Sequence, residues 1–191
     1  NDSMLLDNVQ EAAGRLIWHL NKNSSILFVT DADADGYSSS SLLWNYIKDF
    51  YPEANLKYIC HEHKAHGLED IIDEVEQCGF DLILVLDAGS GDSAYYERLE
   101  NVGTECICVD HHAFDSYPTH CICVNNQLSE HYPNKSLCGA GVVYKFCQVL
   151  DKILCPQNPR SSYYLIIRLF PPVTAVYCSS FSKRSFMDFR R

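Results

Sequence analysis

The chain has 191 residues, of which 47% are hydrophobic, 12% aromatic and 21% charged, with a formal net charge of −10. That balance excludes a disordered chain and suits one core-forming domain rather than two. The negative charge excludes a protein that coats nucleic acid through a basic surface, but not an enzyme whose clustered carboxylates are neutralised by bound cations.

From the N-terminus, Leu5, Val9, Ala12, Leu16 and Leu20 recur at helical spacing and predict an amphipathic helix over residues 3–21. Residues 25–30 are a nearly continuous apolar run, the mark of a strand buried on both faces of a parallel sheet. The run ends abruptly at Asp31-Ala32-Asp33-Ala34-Asp35-Gly36. A helix is predicted over residues 38–50, opened by serines and carrying Leu42, Leu43, Tyr46, Ile47 and Phe50 on its apolar side. The cycle then repeats, with a strand over 56–60 and a helix over 68–78. A very apolar strand over 81–86 ends in Asp87-Ala88-Gly89-Ser90 and leads to a helix near 92–101. Strand 105–109 ends in Asp110-His111-His112, strand 121–124 follows, and Gly139-Ala140-Gly141 introduces a helix over 139–150.

This alternation predicts an α/β, Rossmann-like fold: a five-stranded, mainly parallel sheet with helices on both faces. Residues 1–23 would form an N-terminal helix packed on a domain of residues 24–158. Residues 159–191 break the pattern, with six Lys/Arg against one acid, whereas residues 1–158 hold nine against twenty-four. Pro171-Pro172 interrupts the one apolar stretch there, residues 163–170, so the end reads as an atypical basic tail, aberrant or truncated.

No apolar run reaches the roughly 18–20 residues that span a bilayer. The N-terminus lacks the basic segment of a secretory signal, so a cytoplasmic location without a membrane partner is expected. Among the ten cysteines, Cys106/Cys108 and Cys121/Cys123 sit two apart in apolar runs, which puts each pair on one strand face. There is no C-x-x-C and no zinc-finger spacing, which favours small buried thiols in a reducing compartment.

Three acidic clusters fall at the C-terminal ends of the first, third and fourth strands, the edge at which open α/β sheets bind ligands. If residues 31–36 are extended, alternate carboxylates point the same way, and their repulsion calls for a cation. D-x-D-x-D-G also opens an EF-hand loop, but that loop needs Glu at position 12, here Leu42, and a helix rather than a strand before it. Asp87 taken alone would serve equally to cap the next helix. Asp110-His111-His112 supplies two rings and a carboxylate able to fix a ring tautomer. Asp and His from three strand ends suit a pair of Mn²⁺ or Mg²⁺ ions, which can activate water and hold a scissile phosphate. Gly36 and Ser38, at the opening of the second helix, are candidate phosphate contacts. The reaction class that follows is metal-assisted phosphoester hydrolysis.

Residues 31–36, Asp87-Ala88-Gly89 and Asp110-His111-His112 resemble, in order, the first three motifs of the DHH phosphoesterases. Within that family the chain is similar to the RecJ-like branch of single-strand-specific exonucleases. The likeness rests on D-x-D-x-D-G in place of H-x-x-x-D-x-D, on His66-Gly67-Leu68, and on Leu137-Cys138-Gly139-Ala140-Gly141-Val142, and spans residues 24–152. The resemblance implies two divalent cations, Mn²⁺ or Mg²⁺, held by Asp33, Asp35, Asp87 and His111, with Asp87 bridging. It further implies that Asp31 and Asp110 are accessory carboxylates and that His112 contacts the scissile phosphate or assists the leaving oxygen. His66, Gly139 and Gly141 join Gly36 and Ser38 as candidate substrate contacts, with a solvated loop histidine as the alternative for His66. The implied activity is 5′→3′ hydrolysis of single-stranded DNA in repair and recombination. Two other readings stay open: a phosphodiesterase for short oligonucleotides or cyclic dinucleotides, and an inactive binding module. The second draws on departures from the family pattern. A fourth Asp-bearing motif is not matched after residue 152, where Asp188 is the sole acid, and no glycine-rich second domain follows.

Overall fold

The apolar runs of the sequence become five strands that lie side by side, all parallel, in the order β2-β1-β3-β4-β5. These are β1 (Ile26–Thr30), β2 (Leu56–Cys60), β3 (Leu82–Leu86), β4 (Glu105–Asp110) and β5 (Ile122–Asn125). The helices are α1 (Val9–Asn21), α2 (Ala34–Phe50), α3 (Ile72–Cys78), α4 (Ser93–Asn101) and α5 (Gly139–Leu154). The computed structural model describes residues 1–61 and 66–161, so the apolar stretch at 163–170, Pro171-Pro172 and Asp188 lie outside the described residues.

Every residue of β1 and β3 is buried, as a strand covered on both faces requires. Side chains alternate along β3: Leu82, Leu84 and Leu86 pack with α1, α2 and α5, whereas Ile83 and Val85 pack with α3 and α4. Cys106, Cys108 and Cys123 are buried on the α3–α4 face, with Cys121 partly buried beside them and all nine described cysteines free. No described helix is long and apolar enough to cross a membrane.

Three helix starts differ from those predicted, each for a local reason, and the last helix runs on past residue 150 to Leu154. The second helix starts at Ala34 rather than residue 38. Asp33, in extended backbone, accepts from the Asp35 and Gly36 N–H groups at 2.9 and 2.8 Å and so caps α2. The carboxylates of residues 31–36 are therefore not an extended alternation. The N-terminal helix is split into a 3-10 turn at Ser3–Leu5 and α1, because Asn8 adopts a φ of 60° that a regular helix cannot contain. The third helix begins at Ile72 rather than residue 68. The Leu68 N–H is drawn instead to the Asp92 carboxylate at 2.8 Å, just after Gly67 turns the chain with a φ of 71°.

The strand order sets the position of the site. From β1 the chain moves to one side, to β2, then crosses to the other side to form β3. The crevice at the C-terminal ends of β1 and β3 is the switch point at which such sheets bind ligands.

Candidate metal centre

Strand register brings the acidic clusters together. Thr30 is paired with Leu86, and Leu86 with Val109, so Asp31, Asp87 and Asp110 stand next to one another at the sheet edge. All three are buried, at 3%, 1% and 0% exposure.

Asp31 accepts from the Ala32 N–H at 2.8 Å and contacts His66 Nδ1 at 2.5 Å. His66 is held there by its neighbours: Gly67 C=O meets His61 Nε2 at 2.9 Å, and the Leu68 N–H is anchored on Asp92. His66 thus lies against an acidic side chain of the site while its own side chain is 59% exposed, with its ring 6.4 Å from that of His112. Gly36 sits so close that a Cβ there would lie 2.6 Å from the Asp31 Cβ. Its N–H is already used by Asp33, and the Ser38 hydroxyl donates to the Ala34 carbonyl at 2.6 Å. Both donors are thus engaged within the first turns of α2.

Asp35 lies in the first turn of α2, where its carboxylate accepts the N–H groups of Gly139 and Ala140 at 2.7 and 2.9 Å. It caps α5 from a neighbouring helix and joins the two helix N-termini. Gly139 is required here for space. A Cβ at that position would fall 1.9 Å from Asp87 Oδ1, whereas one at Gly141 would meet only the Leu137 side chain.

Asp87 follows a fully buried strand and takes a φ of 66°, strained for a residue with a Cβ. Its Oδ1 is buried, makes no hydrogen bond, and lies 3.2 Å from His111 Nε2. Burial first, then the negative charges of Asp35, Asp33 and Asp110, push its carboxyl up to about 8. An orphaned carboxylate oxygen among like charges is a position that a cation satisfies. Two sets of side chains converge on it: Asp31 with Asp33, and His111 with His112, each set within ligating distance of one another and of Asp87. Asp87 is the member common to both. Asp35 belongs to neither set, and its Oδ2 is 3.9 Å from His111 Nε2.

Asp110 holds the two histidines. It accepts the backbone N–H of His111 at 2.7 Å, that of Ser90 at 3.1 Å, and His112 Nδ1 at 2.8 Å. Burial alone would raise its carboxyl, but the bonds from His112, Ser90 and His111 prevail and bring it down to about 2. The bond that His112 Nδ1 donates to Asp110 raises the ring above its ordinary value and leaves Nε2 as the nitrogen that Asp110 does not hold.

The model of the DHH family, N-terminal domain, matches residues 25–167. The chain belongs to the DHH family. Over 151 residues it is 45% identical to YorK of Bacillus subtilis (strain 168), an SPbeta prophage-derived protein provisionally named a single-strand DNA-specific exonuclease. That match covers 78% of the chain but only 25% of YorK, so the chain spans a quarter of that DHH relative's length. RecJ of Thermus thermophilus in complex with Mn²⁺ superposes with a TM-score of 0.68 at 25% identity, over 81% of this chain and 22% of RecJ. An exonuclease RecJ bound to manganese gives 0.71 at 26% identity, over 81% and 40%.

Two residues that serve the site, Ser90 and Asn125, are not marked as functional by the sequence pattern. Ser90 merely closes the cluster that ends the third strand. Asn125 lies one residue beyond the predicted end of the fifth strand, yet it is the same kind of signal as Asp31 and Asp87: a polar residue directly after an apolar run.

Proposed function

We propose that this chain is the catalytic lobe of a RecJ-like nuclease that hydrolyses phosphodiester bonds of single-stranded DNA with two divalent cations. The observation that carries this reading is Asp87, buried, without a hydrogen bond at Oδ1, and shared by two sets of potential ligands. Oxygen and imidazole donors without a thiol suit Mn²⁺ or Mg²⁺, and Mn²⁺ is the ion named in the RecJ structures described above. Asp33, Asp87 and His111 would hold them. Asp31 joins on geometry, and Asp35, implied as a ligand by resemblance, keeps a lone pair on each oxygen beyond its two bonds to α5. When bound, such ions supply Lewis-acid polarisation of the phosphate and a water acidic enough to attack it at neutral pH.

The chain's own groups do the rest. Asp110 fixes the His112 ring through Nδ1, so Nε2 is oriented to contact a phosphate oxygen or give a proton to the leaving oxygen. His66, seated on Asp31, flanks the same crevice as a candidate substrate contact. The free thiols suit a reducing, cytoplasmic setting, and single-strand specificity is drawn from the relatives' names alone.

The test is nucleotide release from a 5′-phosphorylated single-stranded oligonucleotide by the full chain with Mn²⁺. Asp87→Asn should lower the rate by at least about two orders of magnitude, as expected when a cation pair loses its common ligand. Earlier release of a 5′ than of a 3′ label would give the 5′→3′ direction. Cleavage of cyclic dinucleotides but not of DNA would replace this reading with the phosphodiesterase. A chain that neither cleaves nor binds Mn²⁺ would be the inactive module.

A further inference from the structure

Asn125 extends the row of polar strand ends by one strand. It pairs in register with Asp110, so Asp31, Asp87, Asp110 and Asn125 line the sheet edge across four neighbouring strands. It is fully buried, at 0% exposure. Its Nδ2 donates to Ser90 Oγ at 2.8 Å and to the His112 carbonyl at 2.9 Å, and its Oδ1 accepts from the Gln127 N–H at 2.7 Å. The amide orientation is fixed, because a backbone N–H can only donate and a backbone carbonyl can only accept.

The bond to Gln127 is an ordinary turn after β5 and would explain an Asn here by itself. It leaves the two donors unexplained. One goes to the β3–α4 loop, three residues after Asp87, and the other to the peptide of His112. The same serine also gives its backbone N–H to Asp110. One buried amide therefore ties the loop that carries Asp87 to the loop that carries His111 and His112.

We infer that Asn125 is a positioning residue of the metal centre: it sets the spacing between Asp87 and the histidine pair through Ser90 and the His112 carbonyl. The inference rests on the two-cation reading above. Outer partners of this kind typically change metal affinity by about 10–100-fold when removed.

Asn126 provides a matched control. It too has 0% exposure, and its Nδ2 donates to the Asn134 carbonyl at 3.1 Å, within the loop before α5 and away from the site. Calorimetric Mn²⁺ titration of the full chain compares wild type, Asn125→Ala, Asn126→Ala and Ser90→Ala, with urea melts in EDTA alongside. Asn125→Ala should raise the Mn²⁺ Kd by about tenfold or more, and Asn126→Ala by less than about twofold at a similar loss of stability. Ser90→Ala, which removes only a hydroxyl, should raise the Kd by about threefold or more, and it decides the matter if Asn125→Ala does not fold. A wild-type Kd retained in Asn125→Ala or in Ser90→Ala, or an equal rise in Asn126→Ala, overturns the positioning role alone. A wild-type chain that takes up no Mn²⁺ overturns the metal centre and this role together.

Discussion

At Gly139 the backbone of α5 passes against the carboxylate of Asp87 while its N–H is held by Asp35. Neither neighbour can yield easily, since Asp87 is buried and Asp35 is bonded to two consecutive N–H groups. Gly139→Ala would place its methyl 1.9 Å from Asp87 Oδ1, so either the helix or the carboxylate must shift. Forcing one methyl into a packed site costs about 1–3 kcal/mol, and here the displaced group is the common ligand. Gly14 offers the opposite case, with nothing within 4 Å of an added Cβ and a place inside α1. There Gly14→Ala should gain roughly 0.5–1 kcal/mol, because glycine is the more costly residue in a helix. Urea melts in EDTA should show opposite signs for the two variants. Mn²⁺ titration should show uptake lost in Gly139→Ala and unchanged in Gly14→Ala. A Gly139→Ala chain with wild-type stability and uptake would mean that the close approach carries no weight.

Helices α2 and α5 meet along the face of the sheet that leads to this contact, and they are joined at the far end by a buried polar link. Tyr46 donates to Asp151 Oδ1 at 2.8 Å, and Asp151 also accepts the N–H groups of Arg160 and Ser161 at 3.0 and 2.7 Å. Burial would raise the Asp151 carboxyl, but the bonds from Ser161, Arg160 and Tyr46 outweigh it and hold the group below its ordinary value. A carboxyl depressed in the fold contributes stability above its unfolded value, about 3.9, and loses that contribution as the pH falls through the folded value. Asp151→Asn should therefore cost about 1–3 kcal/mol at pH 7 and flatten the loss of stability below about pH 4. Urea melts at several pH values check this, and parallel acid limbs in the two proteins would refute it. The link was not legible in the sequence, since a Tyr and an Asp 105 residues apart carry no common pattern. The strands were legible: the apolar runs at 25–30 and 81–86 became β1 and β3 almost unchanged, because burial on both faces leaves few ways to read them. Helix starts were less so, because the Asp33 cap and the left-handed Asn8 are decided by single hydrogen bonds and backbone angles. At the site, Asp31, Asp87 and Asp110 could be read as strand ends, but the partners of Asp35 and Asn125 depend on register and on a helix distant in sequence.

For the molecule as a whole, the net charge of −10 is an average over unlike parts, and the site concentrates its share most. Asp31, Asp33, Asp35, Asp87 and Asp110 gather at one end of the sheet, where, among the described residues, His66, His111 and His112 offer partial compensation. Repulsion over such short distances is weakly screened by monovalent salt, because the Debye length at 0.15 M is still about 8 Å and Asp31, Asp87 and Asp110 are buried. Added NaCl should therefore stabilise the chain little. If Mn²⁺ is taken up by the fold and not by the unfolded chain, each site filled at 100 times its Kd adds about 2.7 kcal/mol, a rise in Tm of roughly 5–10 °C for a domain of this size. Asp87→Asn should abolish that rise, because it removes the ligand common to both sets. Glu53→Gln removes a carboxylate at an exposed position and should leave the rise intact. Thermal melts of the three proteins in EDTA, NaCl and Mn²⁺ separate the two causes. An equal rise in NaCl and Mn²⁺, or an equal loss of the rise in Glu53→Gln and Asp87→Asn, would show that bulk charge rather than a built site governs the response.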